Sequence, residues 1–272
     1  MTCQNCGNNS QENFCPNCGE KKFNVQDLTI KHFFQETLES FIHFDNKFLK
    51  TIKILILEPG KLSLDFVEGK RVRFMKPLQL FLILNISMFF MPSNPFALKL
   101  SNYVTYTPFI NYNTRQIIDN KVKSSGLTYK EYSGQFDEKI KSESKEFIFL
   151  YIPFYALIFL LFLFSKRRNF TEHLVFSTHF MSFYLLFYIF DLVFIAIPYS
   201  YLSNIGYSQT FDNMDAIFSQ VCIFVYLTLA IKKFYKCSIG GALLGSLAIA
   251  STFFTLLQFY RMFLFYKIVF IR

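Results

Sequence analysis

The sequence contains no tryptophan and little charge. Only 17% of its 272 residues are charged, against about 25% in a soluble domain. That is too little to solvate an ordinary globular surface, so a soluble enzyme is excluded. Sequence signatures of catalysis are also missing. There is no HExxH, no GxSxG and no glycine-rich phosphate loop. The chain does not open with basic residues followed by an apolar stretch, so no cleavable signal peptide is expected. Polar low-complexity sequence is absent as well, which excludes a disordered chain.

What the chain has in abundance is apolar sequence. Hydrophobic types make up 52%, phenylalanine alone contributes 38 residues, and the mean hydropathy is +0.28. This is the composition of a membrane protein. The net charge of +9 comes from Lys and Arg beside apolar segments, which points to basic loops facing anionic lipid rather than nucleic acid.

Four of the six cysteines fall in the first eighteen residues. Cys3-Gln4-Asn5-Cys6-Gly7 and Cys15-Pro16-Asn17-Cys18-Gly19 are two CxxCG knuckles. A CxxC turn aims two thiolates at one ion, and the following glycine lets the backbone turn its N–H groups toward sulfur. Two knuckles supply the four soft ligands of a closed tetrahedral zinc site, so Cys3, Cys6, Cys15 and Cys18 are expected to hold one structural Zn²⁺ within a ribbon over residues 1–22. Iron is the alternative for four cysteines, but the spacer between the knuckles is short for a rubredoxin-like core. Such a clustering also suits a reducing compartment. The ribbon could staple a segment too small to bury a core, or act as a docking head for protein partners. Lys21 and Lys22 are its only cations, which argues against nucleic-acid binding.

Residues 27–74 read as amphipathic interfacial helices. Ile30, Phe33, Phe34, Leu38, Phe41 and Ile42 recur at helical spacing, opposite a face that includes His32 and His43. A second run carries Phe48, Leu49, Ile52, Leu55 and Ile56, and Pro59-Gly60 ends it. Lys70, Arg71, Arg73 and Lys76 then precede an apolar segment. They fix topology, or form a lipid head-group site.

Over 75–272, five apolar segments approach or reach spanning length: about 75–92, 147–164, 174–197, 214–231 and 239–260. Helices of roughly 18–24 residues cover about 27–36 Å. Lys166-Arg167-Arg168 and Lys232, Lys233 and Lys236 mark one side, while the loop from Pro198 to Asn213 has no Lys or Arg. The positive-inside rule therefore places the N-terminus in the cytoplasm and the C-terminus outside. The loop 93–146 holds eight cations and six acids and is placed outside. Strand-like Tyr-Asn-Thr sequence is expected there first, and then a charged helix from Tyr129 to Glu146. Residues beyond Met262 extend the last helix or lie along the outer surface. With no tryptophan, tyrosines such as Tyr103, Tyr199 and Tyr266 must serve as interfacial anchors.

Ionisable groups at membrane depth are functional candidates. Asp191 and Arg261 stand out, with Gln258 near their level, and a long arginine could reach Asp191. Together with His179 they form a candidate intramembrane polar site. The alternative is a structural pair locking two helices.

These features resemble a family of bacterial membrane proteins grouped as the domain of unknown function 3667. The resemblance rests on the CxxCG…CPxCG ribbon, Lys50-Thr51 leading to Glu58-Pro59-Gly60, and Gly69-Lys70-Arg71 followed by Pro77. Glu172-His173-Leu174-Val175-Phe176, with His179 and Phe180, resembles the family's third-helix motif. The family implies an inner-membrane protein and supplies no catalytic residues. The expectation is thus an all-α multi-pass membrane protein acting as an interaction, assembly or regulatory platform, leaning away from enzymology. A transporter, a membrane enzyme and a lipid-handling protein are the alternatives.

Overall fold

The computed structural model describes residues 2–9, 13–22, 29–30, 47–92, 96–105, 112–163, 168–202 and 209–270. Among these the chain is helical, and the only β pairing is two isolated bridges in the cysteine segment, Thr2 with Asn9 and Phe14 with Lys21. The first amphipathic run, including His32 and His43, lies outside the described residues apart from Thr29 and Ile30.

Among the described residues, four helices are long and apolar enough to cross a membrane: Tyr129–Phe162, Phe170–Tyr199, Met214–Tyr235 and Ile239–Phe270. A chain with four such helices is a multi-pass membrane protein. The earliest expected span, about 75–92, is the shorter helix Pro77–Phe89, whose 13 residues cover only about 20 Å. The count of about five is therefore close, with four helices of full length.

Two compact units emerge. The first comprises Met1–Ile86 and Tyr151–Ile249. It contains α1 (Lys47–Leu57), α2 (Lys61–Val67), most of α3 (Pro77–Phe89), α7 (Tyr151–Phe162), α8 (Phe170–Asp191), α9 (Ile197–Leu202) and α10 (Gln209–Tyr235). Helix α8 is its axis, buried almost continuously from His173 to Leu185. Aromatic residues do much of the packing. Phe159 meets Phe176 edge-on with ring centroids 4.8 Å apart, and Phe183 stacks on Tyr226 of α10 at 3.4 Å. The hydroxyls within this apolar axis satisfy themselves locally: Ser177 donates to the Ile152 and Leu174 carbonyls, Thr178 to that of Leu174 and Ser182 to that of Thr178. A five-residue π-helical turn, Leu192–Ala196, separates α8 from α9.

The second unit comprises Ser87–Leu150 and Ala250–Arg272. It holds α4 (Leu100–Thr105), α5 (Tyr112–Ser125), α6 (Tyr129–Glu146) and the distal part of α11 (Ile239–Phe270). The strand-like reading of 112–114 does not hold, because Tyr112 opens α5. A capping box of Thr128 and Glu131 starts α6, and the helix continues through a 3-10 turn, Phe147–Leu150, into α7. Tyr103 and Phe136 pack against Phe265, and the Tyr103 hydroxyl donates to the Arg261 carbonyl at 2.8 Å. Buried Lys145 donates to the Phe89 and Met91 carbonyls at 3.2 and 3.4 Å, where a cation suits a helix C-terminus. Helix α11 extends past Met262 rather than turning along the surface.

Candidate metal centre

The two knuckles fold alike. Gly7 N–H donates to the Cys3 carbonyl at 2.9 Å and Gly19 N–H to the Cys15 carbonyl at 2.8 Å. Both glycines adopt positive φ, 77° and 71°, which a β-carbon would disfavour. The sulfurs of Cys3, Cys6, Cys15 and Cys18 all lie within 4.8 Å of one another. Cys3 and Cys18 are 3.6 Å apart, as are Cys6 and Cys15. Thiolates around a tetrahedral ion with metal–sulfur bonds of about 2.3 Å stand about 3.8 Å apart. The donor set and its dimensions therefore fit one metal ion, with no coordination position left for a substrate.

Glu20, one residue beyond the second knuckle's glycine, is buried. Its carboxylate accepts the N–H groups of Arg71 and Val72 at 3.0 and 2.9 Å, which joins the metal cap to the Gly69–Arg73 segment. Thr51 holds the far end of that segment by accepting the Met75 N–H at 3.0 Å. The cations of this segment are already engaged. Lys70 lies 3.2 Å from both Asp65 and Glu68, and Lys236 lies 3.3 Å from Glu68. Burial alone would raise the Glu68 carboxyl, but hydrogen bonds and charge from Lys70 and Lys236 outweigh it and hold it below the usual range. Burial would lower the Lys70 ammonium, but Asp65 and Glu68 reverse that and raise it. Arg71 lies over the Phe66 ring at 4.8 Å and Arg73 over Phe74 at 5.4 Å.

Behind this layer, His179 and Ser63 share a buried hydrogen bond of 2.9 Å, and His173 and Tyr235 share one of 2.7 Å. Arg168 pairs with Glu172 at 3.1 Å and donates to the Phe234 carbonyl at 2.7 Å. The cavity beside His179, lined also by Glu58, Ser63 and Tyr226, measures about 10 Å³, space for about one water. Gly60 closes the layer against α10. With φ at 81°, a β-carbon on it would fall 2.5 Å from the Ala230 carbonyl oxygen.

The remaining expected polar residues lie in different units. Asp191 and His179 belong to the first, Gln258 and Arg261 to the second. Asp191 is buried where α8 meets the π-helical turn, one carboxylate oxygen has no hydrogen-bond partner, and its neighbour is Asp215. The sequence reading missed Glu20, Ser63, Asp65, Tyr235 and Asp215. Each is an ordinary residue type in an unremarkable context, and only long-range contacts give it a role.

Residues 45–89 match the model of a family described as "Protein of unknown function (DUF3667)". This supports the resemblance over the stretch carrying Thr51, Glu58-Pro59-Gly60 and Gly69-Lys70-Arg71. Neither the curated proteins nor the solved structures contain a match to this chain.

Proposed function

We propose that this is an inner-membrane protein whose metal-clamped N-terminal cap lies in the cytoplasm and serves as an interaction, assembly or regulatory platform. Zinc is the ion that suits four thiolates in a closed site. The observation that carries this reading is the Glu20 latch. A four-thiolate knot too small to hold itself together without metal is bonded directly to the backbone of Arg71 and Val72. Metal loading is thereby coupled to the basic segment that leads into the bundle. Each buried histidine bonds a neighbour through Nδ1, the Nε2 of His173 has no partner, and the cavity beside His179 has space for about one water, which favours a packed structural interior over a reaction site. Hydrogen exchange of the full chain in detergent tests the coupling. Removing the metal should deprotect residues 69–73, and a cap that exchanges freely while 69–73 stay unchanged would leave it a mere staple. Pull-downs with wild type and with Cys3→Ser plus Cys6→Ser would then compare partners.

In this reading Pro77–Phe89 also crosses, which puts the N-terminus inside and the C-terminus outside. Arg168 bonds the carbonyl of Phe234, at the lysine-rich end of α10. The short helix is proposed to lead from that side to the other.

Asp191 favours a second reading, a transporter or membrane enzyme with a polar site around Asp191. A buried carboxylate oxygen without a partner beside a π-helical turn is a costly arrangement. Water accessibility of a cysteine placed at Asp191 would support it, and complete protection there would return the preference to the platform.

A further inference from the structure

The lysines that end α10 do more than mark a membrane side. Glu58, Pro59, Leu229, Lys232, Lys233 and Lys236 line one groove of about 420 Å³. Its wall is fixed, because Gly60 abuts the Ala230 backbone and so holds the Glu58-Pro59-Gly60 turn against α10. Its charge is unbalanced. Glu58 is neutralised by Lys61 at 2.7 Å and Lys236 is shared with Glu68. Lys232 and Lys233 are exposed and have no acidic partner among the described residues. Two positive charges are left over.

Its position is equally specific. The apolar span ends at Tyr235, so the ammonium groups stand at head-group level. One turn deeper the wall is exposed Leu229, and one further turn deeper Val225 is half exposed. On the other side Leu57 is exposed immediately before Glu58. A cationic mouth above an apolar strip matches an amphiphile with a negative head and a hydrocarbon tail.

We propose that this groove seats an anionic phospholipid, with its phosphate among Lys232, Lys233 and Lys236 and an acyl chain along Leu229 and Val225. A zwitterionic lipid would bring its own cation into a surplus of positive charge and is disfavoured. The site is distinct from Lys70, Arg71, Arg73 and Lys76, and it does not depend on the metal cap.

The test uses the full chain in lipid nanodiscs holding equal phosphatidylglycerol and phosphatidylcholine. Lipid retained after extraction is counted by native mass spectrometry. The wild type should keep phosphatidylglycerol in preference, and Lys232→Gln plus Lys233→Gln should reduce that preference about ten-fold. That double variant leaves the Lys236–Glu68 pair intact, and an unchanged melting temperature will verify its fold. Leu229→Asp should weaken retention as well, because the tail strip is lost. Arg73→Gln, outside the groove, should leave it alone. Inorganic phosphate at millimolar concentration should fail to compete. No preference in the wild type, an equal preference in the double variant, or displacement by inorganic phosphate would each overturn the proposal.

Discussion

Glu20 reaches across fifty residues of sequence to accept the backbone N–H of Arg71 at 3.0 Å. The carboxylate belongs to the metal segment and the amide to the loop that enters the bundle. Because Glu20 is buried, removing its carboxylate leaves two N–H donors without their acceptor, at a cost of about 1–3 kcal/mol. Glu20→Ala should lower stability by roughly that amount and raise exchange at Arg71 and Val72, with the thiol site still loaded. Elemental analysis with hydrogen exchange separates the two effects.

Metal content gives the plainest prediction. Purified chain should carry about one ion of zinc, lost on Cys3→Ser plus Cys6→Ser. Cobalt substituted into the site should show the absorption of a tetrahedral thiolate complex. Wild-type chain with no bound metal would remove the ion from the account.

Gly60 and Gly126 make a matched pair, with φ of 81° and 69°. Substitution by alanine strains both backbones by about 1–2 kcal/mol. Only at Gly60 does a β-carbon also meet the Ala230 carbonyl, whereas Gly126 faces open space. Gly60→Ala should therefore cost clearly more than Gly126→Ala, by roughly 2 kcal/mol or above. Thermal unfolding in detergent will rank them.

Ser63→Ala deprives buried His179 of its partner and should destabilise by about 1–3 kcal/mol. Adding His179→Leu to that variant should cost less than His179→Leu does alone, since the orphaned ring nitrogen is then gone. A double-mutant cycle reads the coupling directly. Additive losses would mean the bond contributes nothing.

The Lys70–Glu68–Lys236 cluster sets a pH dependence. Glu68 is depressed in the folded chain, so its contribution is present above the ordinary carboxylate range near about 4.3 and fades as pH falls through its lower folded value. Lys70 is raised, so its share is present below about 10.4 and is lost only as pH climbs past its folded value. The groups are partly exposed, which limits the effect to about 1 kcal/mol or less. Glu68→Gln should melt slightly below wild type at pH 7, and the two should converge in strong acid.

Much of this molecule could be read from the chain. Apolar runs of 18 or more residues have no solvent but lipid or a large core, so the later spans follow from composition alone. Two CxxCG repeats can bring thiolates together through local turns, and the Cys3–Cys18 cluster is where the sequence puts it. The 93–146 segment was less legible. Its Tyr112–Thr114 stretch has β-leaning residues, yet α5 forms there, because buried Thr114 and Ile118 lie one helical turn apart and tertiary packing outweighs weak propensity.

The sequence by itself determined which later segments are long and apolar enough to cross a membrane and which residues could grip a metal, because hydropathy and CxxC spacing act over a few residues. Only the tertiary structure decided that Glu20 answers Arg71, that Ser63 answers His179, that Gly60 must be bare against Ala230, and that the α10 lysines share a groove with Pro59. Those are meetings of residues far apart in the chain. Nothing in a local pattern encodes them, and they arise only when burial brings distant parts of the chain together.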